Sequence, residues 1–113
     1  MRIAAKLRKH AMSYPHVVED HPWGESAFKV NGKTFVFMHE GKDGVSFSVK
    51  LNAGREFALS LPGSEPTHYG LGAKGWVTLR PDAKTKIEAL YALIDESYRA
   101  IAPKRVVKEL DAR

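Results

Sequence analysis

The sequence predicts an α+β fold, an antiparallel β-sheet with an N-terminal and a C-terminal helix packed on one face. Three observations carry that expectation. The dipeptide Asn31-Gly32 sits between two runs of β-favouring residues, the strongest short-range mark of a tight hairpin. Apolar residues recur at helical spacing at both ends of the chain. At 113 residues there is room for one core, so residues 1–113 read as a single domain.

Each element follows in order. Over Arg2 to Ser13, a helical wheel puts Ile3, Ala4, Leu7 and Ala11 on one side, with Tyr14 extending the stripe, and Arg2, Lys6 and Lys9 on the other. Pro15 disfavours helical geometry at Tyr14 and ends this helix, leaving a loop to Pro22. From Glu25 the period becomes two. A two-residue loop at Asn31-Gly32 sets Val30 opposite Lys33 and Phe28 opposite Phe35. Phe28, Val30, Phe35 and Phe37 then share the core face, and Lys29, Thr34, Val36 and Met38 the other. The next turn falls within Glu40 to Gly44. After it, Val45, Phe47, Val49 and Leu51 point inward, and Ser46, Ser48 and Lys50 outward.

Asn52 to Leu61 mixes the two periods and is read as a short helix. Pro62-Gly63 and Pro66 open a loop that runs to Gly75, and Trp76 to Arg80 forms a further strand with Trp76 and Val77 on opposite faces. Asp82 is placed to cap a closing helix that gathers Ile87, Leu90, Tyr91, Ile94, Tyr98 and Ile101 on one side. Glu88, Asp95 and Arg99 face water. Pro103 breaks this helix, and Arg105 to Asp111 adds a turn or two. Both long helices pack on the Phe-rich face of the sheet, and the other face stays open.

The bulk numbers narrow the functional classes. No cysteine, no leader-like apolar stretch and no run of membrane-spanning length place the chain in the cytoplasm, off the membrane. Eighteen Lys and Arg against thirteen Asp and Glu give a formal charge of +5, which favours a polyanion partner. The charge is segregated: residues 1–10 hold Arg2, Lys6, Arg8 and Lys9 with no acid, and residues 11–27 hold Glu19, Asp20 and Glu25 with no Lys or Arg.

Few residues suggest chemistry. Gly70 to Gly75 matches G-x-G-x-x-G, but Pro66 lies upstream and a strand follows, so no helix N-terminus receives a pyrophosphate and no dinucleotide is expected. The loop reads as a turn into a strand, with anion cradling as its weaker functional meaning. His16 and His21 are the one close histidine pair and lack zinc spacing, so no metal and no cofactor are expected. No serine sits in a nucleophile elbow, and Ser97 falls inside the last helix, where packing or a bond back to the preceding turn is its expected role. Trp23 and Trp76 could stack on bases but read as buried core or core-edge residues, and the open face is expected to lack aromatics.

The run His21-Pro22-Trp23-Gly24, followed by Phe28-Lys29-Val30 and Gly32-Lys33-Thr34-Phe35, resembles the MmcQ/YjbR family of small bacterial proteins. Lys50, Arg55, Tyr69, Trp76-Val77 and Ser97-Tyr98 continue the resemblance in order across nearly the whole chain. It implies a CyaY-like fold, described as a double-wing arrangement, and a DNA-binding role. Frataxin shares that shape and binds iron, but the first helix here is basic, which disfavours iron. The glycine-rich approach to Trp76 departs from the family pattern.

Together these readings describe a monomeric, non-enzymatic protein that binds DNA weakly through phosphate contacts. Two cationic sets are candidates: Lys29, Lys50 and Arg80 on the open sheet face, which is preferred, and Arg2, Lys6 and Lys9 on the first helix. The second reading is a protein-interaction or small-ligand module that uses the open face or the glycine loop.

Overall fold

In the computed structural model the described residues are 2–113, and the side chain of Trp23 lies outside them together with its expected burial. Ten elements order the chain: α1 (Ile3–Met12), β1 (Val17–Asp20), β2 (Ser26–Val30), β3 (Lys33–Gly41), β4 (Gly44–Lys50), α2 (Arg55–Ser60), β5 (Glu65–Pro66), β6 (Trp76–Leu79), α3 (Ile87–Ile101) and α4 (Lys104–Asp111). The strands form one six-stranded antiparallel sheet in the order β1-β2-β3-β4-β6-β5. The α+β class, the hairpin at Asn31-Gly32, the turn before Gly44, the short helix and the two-helix layer on one face are as the sequence predicts.

The helix-covered face is the core. Ala4, Leu7, Ala11 and Tyr14 from the α1 end meet Leu90, Leu93, Ile94 and Tyr98 from α3 over Phe28, Val30, Phe47 and Val49. Tyr14, Phe35 and Tyr98 stack and cross edge to face at ring separations of 4.5 to 6.0 Å. Such aromatic contacts add to the burial of apolar area that drives this layer together.

Four expectations are corrected. Val17–Asp20 is an edge strand rather than loop, reached through His16 at φ 61, and its alternate residues are half-buried. The loop after Pro62 contains the two-residue strand β5 and a 3₁₀ turn at Gly72–Lys74. Asp82 does not cap α3, which begins five residues later at Ile87 without a side-chain cap. Its carboxylate instead accepts the Lys84 N–H at 2.9 Å in a local turn.

The fourth correction reshapes the sheet. Val30 does pair with Lys33, but the register shifts between Phe28 and Lys29, so Lys29 pairs with Thr34 and Phe28 with Val36. Phe35 is the extra residue of a β-bulge, and the bulge inverts the alternation beyond it. Phe35, Val36 and Met38 are buried in the core, while Phe37 turns to the open face.

Ser97 accompanies this bulge. The Lys50 N–H donates to Ser97 Oγ at 2.9 Å, and that hydroxyl donates to the Phe35 carbonyl at 2.6 Å. A fully buried helical hydroxyl thus bridges the β3 and β4 backbones where the bulge sits. Its bonds run to the sheet and not to its own preceding turn. The neighbouring Tyr98 hydroxyl donates to the Pro15 carbonyl at 2.8 Å and ties α3 to the segment after α1.

Candidate nucleic-acid interface

Pairing partners in a sheet share a face, so the registers define the open side directly. One row crosses all six strands: Asp20, Ala27, Phe37, Ser48, Thr78 and Glu65. Its ends are acidic and its middle is uncharged. Ser48 and Thr78 hydroxyls lie 2.7 Å apart, and Thr67 joins Thr78 at 3.0 Å, so these oxygens satisfy one another. Next to the row, Trp76 pairs with Lys50 and lies 5.5 Å from the Phe37 ring. Trp76 is only 7% exposed, as its expected burial requires, but it is buried on this side of the sheet and stands outside the main core cluster.

Two irregular segments border this surface: the 3₁₀ turn Pro22–Gly24 and the Thr67–Leu71 loop. Between them lies a cavity of about 400 Å³ lined by Phe37, His39, Ser46, Ser48, Thr78 and Tyr69, among others. Tyr69 is fully exposed and holds φ 62, a left-handed conformation that a bulky non-glycine residue rarely adopts. Strain at an exposed aromatic beside a cavity is the kind of backbone cost that a binding role would explain.

Several of the cations named from sequence are held in ion pairs. Lys29 Nζ is 2.9 Å from Asp20, and this bond holds the Asp20 carboxyl below the ordinary carboxylate range. Arg80 Nη1 is 2.6 Å from Glu65 and also donates to the Gly63 carbonyl. Two of the three sheet cations are therefore matched by carboxylates from the ends of the open-face row. Lys50 is the member of the set without an ion-pair partner among the described residues. The first-helix set lies in the opposite layer, where Arg2 pairs with Glu40 at 2.8 Å, while Lys6 and Lys9 border a groove against α3.

Arg8, absent from both sets, bonds Glu19 and lies 5.9 Å over the Phe28 ring. Ser26 donates to the same carboxylate at 2.8 Å. One pair from the segregated charges of residues 1–27, Arg8 and Glu19, thus meets in space at the α1–β1 contact. The clue available in the sequence was the complementary signs of the two segments.

The glycine loop has a packing explanation. A Cβ at Gly72 would lie 2.8 Å from Pro66 Cβ, and one at Gly75, held at φ 97, would lie 2.6 Å from the Leu51 carbonyl oxygen. Leu51 N–H donates to Gly75 O at 2.9 Å, and β6 begins at the next residue. Among the described residues no group of three or more His, Asp or Glu side chains is placed to hold a metal ion, and no helix is long and apolar enough to cross a membrane.

This architecture defines a small α+β protein, one sheet face closed by helices and the other carrying an aromatic and hydroxyl surface. A family model described as YjbR matches residues 12–100, and the chain belongs to the YjbR family. It is similar to a crystal structure of a Deinococcus radiodurans protein with a DUF419 domain, at 26% identity and a TM-score of 0.78, over 98% of this chain and 89% of that one. A Pseudomonas syringae protein of known structure shares the fold at 17% identity and a TM-score of 0.67, over 85% of this chain and 96% of that one. No curated protein matches the chain.

Proposed function

We propose that this YjbR-family protein binds nucleic acid through its open sheet face, and that it takes unpaired bases there. The observation that carries the reading is the bulge at Phe35, which moves Phe37 onto that face beside the cavity rimmed by Tyr69. Aromatic side chains on a sheet accept the flat faces of unstacked bases, and neighbouring hydroxyls can bond base edges. A duplex hides those faces. Lys50 supplies a phosphate contact, whereas Lys29 and Arg80 are held by Asp20 and Glu65. The expected phosphate-dominated mode therefore gives way to one led by stacking. The reading is of binding, with no reaction assigned.

Fluorescence anisotropy with a labelled single-stranded oligonucleotide and its duplex, across a salt series, tests it. Single strands should bind more tightly, with a shallow salt dependence of about one or two phosphate contacts. Equal or stronger binding of duplex with a steep salt slope would contradict the stacking mode.

The modest cavity, lined mainly by apolar and hydroxyl side chains with Glu25 as its one carboxylate, favours a second reading, a site for a small flat ligand. A free nucleoside competing as well as the oligonucleotide would select that reading.

A further inference from the structure

We infer that the groove between α1 and α3 is a second binding site, separate from the open face, for a small organic phosphate monoester. The groove has a volume of about 430 Å³, within the size range of ligand sites, and is lined by Lys6, Lys9, His10, Ser13, Ile87 and Tyr91. It lies in the helix layer on the far side of the sheet from Phe37, so this inference does not depend on the nucleic-acid reading.

Its polar groups differ from those of the surrounding helix. Arg2 and Arg8 are committed to Glu40 and Glu19, but Lys6 and Lys9 have no ion-pair partner among the described residues. They stand three residues apart on α1, on adjoining turns of one face. The first helix consequently offers a two-lysine point at a cavity, where a duplex backbone would require a continuous cationic stripe.

His10 is held in place beside them. Its ring stacks on Tyr91 at 4.0 Å and 4°. Tyr14 donates its hydroxyl proton to Asp95 at 3.0 Å, so the 3.1 Å contact between Tyr14 and His10 Nε2 requires the proton on Nε2. Nδ1 is then a fixed acceptor, without a protein partner and not buried. Ser13 Oγ spends its proton on the His10 carbonyl and keeps its lone pairs.

The groove therefore supplies ammonium donors, hydrogen-bond acceptors and the apolar sides of Ile87 and Tyr91. A phosphate monoester matches all three: its anionic oxygens accept from the lysines, its monoanion, populated below a second pKa of about 6, donates its P–O–H to Nδ1 or Oγ, and its organic part covers the apolar wall. A simple carboxylate has no such proton to give.

The test is an NMR titration of the full chain with phenyl phosphate, with phenol, inorganic phosphate and a single-stranded oligonucleotide as comparison arms. Phenyl phosphate should produce saturable shifts at Lys6, Lys9, His10 and Tyr91 and bind more tightly than phenol or phosphate. The Lys6→Ala/Lys9→Ala double variant should weaken it by about tenfold or more, and Lys50→Ala should leave it unchanged. The inference is overturned if no saturable shift appears at the groove, or if phenol or inorganic phosphate binds equally well. It is also overturned if the double variant binds normally, or if only the oligonucleotide shifts these residues.

Discussion

The two faces of the sheet are made by the same strands and solve different problems. On the helix side, Phe28, Val36, Phe47 and Val49 are sealed beneath α1 and α3. On the open side, Phe37 is half-buried, Ser48 and Thr78 bond each other, and the row that crosses the strands is charged only at its ends, with Lys50 beside it on β4. The bulge at Phe35 decides which aromatic belongs to which side. Without it, strict alternation from Val30 would put Phe37 in the core and Val36 and Met38 outside. The difference shows that an open sheet face need not be a polar remainder, since one inserted residue can furnish it with an aromatic.

Substitutions on each side should separate stability from binding. The largest stability effect is expected at Trp76, whose replacement by Ala removes a large buried ring and should cost about 3 to 5 kcal/mol in chemical denaturation. Ser97→Ala strikes at the bulge itself, taking from the Lys50 N–H and the Phe35 carbonyl the buried hydroxyl that joins them. The expected loss is about 2 kcal/mol, with exchange protection falling first at Lys50. Phe37→Ala should cost only about 1 to 2 kcal/mol, because its ring keeps part of its exposure in the folded state.

The helix layer also predicts a pH window. Burial holds His10 below the ordinary histidine value of 6.5, against the opposing pull of the Asp95 carboxylate. Its stabilising effect is therefore complete above that value and is lost as the pH falls. Burial, then Asp95, raise Tyr14 above the usual phenol value of 10.0, so its effect is complete below that value and is lost as the pH rises. Thermal stability should fall at both ends, and Tyr14→Phe should flatten the alkaline limb. The smallest effect belongs to Lys29→Ala, which breaks an exposed ion pair and should leave thermal stability close to that of the natural chain.

Much of the fold was legible because its signals are local. Asn31-Gly32 set the hairpin turn, the alternation of Val45 to Leu51 set β4, and Pro103 set the end of α3. The bulge has a partner distant in sequence: Ser97, 62 residues away from Phe35, bonds its carbonyl. No periodicity reading of residues 26–38 contains that hydroxyl. β1 escaped for a related reason, since a four-residue edge strand with two acids looks like loop until Glu19 meets Arg8. The cationic site was legible only as a set of residue types. Its neutralisation by Asp20 and Glu65 depends on strand pairing that single-residue charge counting does not include.

The claim that the open face binds unpaired bases is tested most directly by one anisotropy titration. A single-stranded oligonucleotide is measured against the natural chain and the Phe37→Ala/Tyr69→Ala variant, after circular dichroism confirms that the variant is folded. Loss of two stacking contacts should weaken binding by at least about tenfold at fixed salt. Unchanged affinity in the folded double variant, or no single-strand binding by the natural chain even at low ionic strength, would contradict the account.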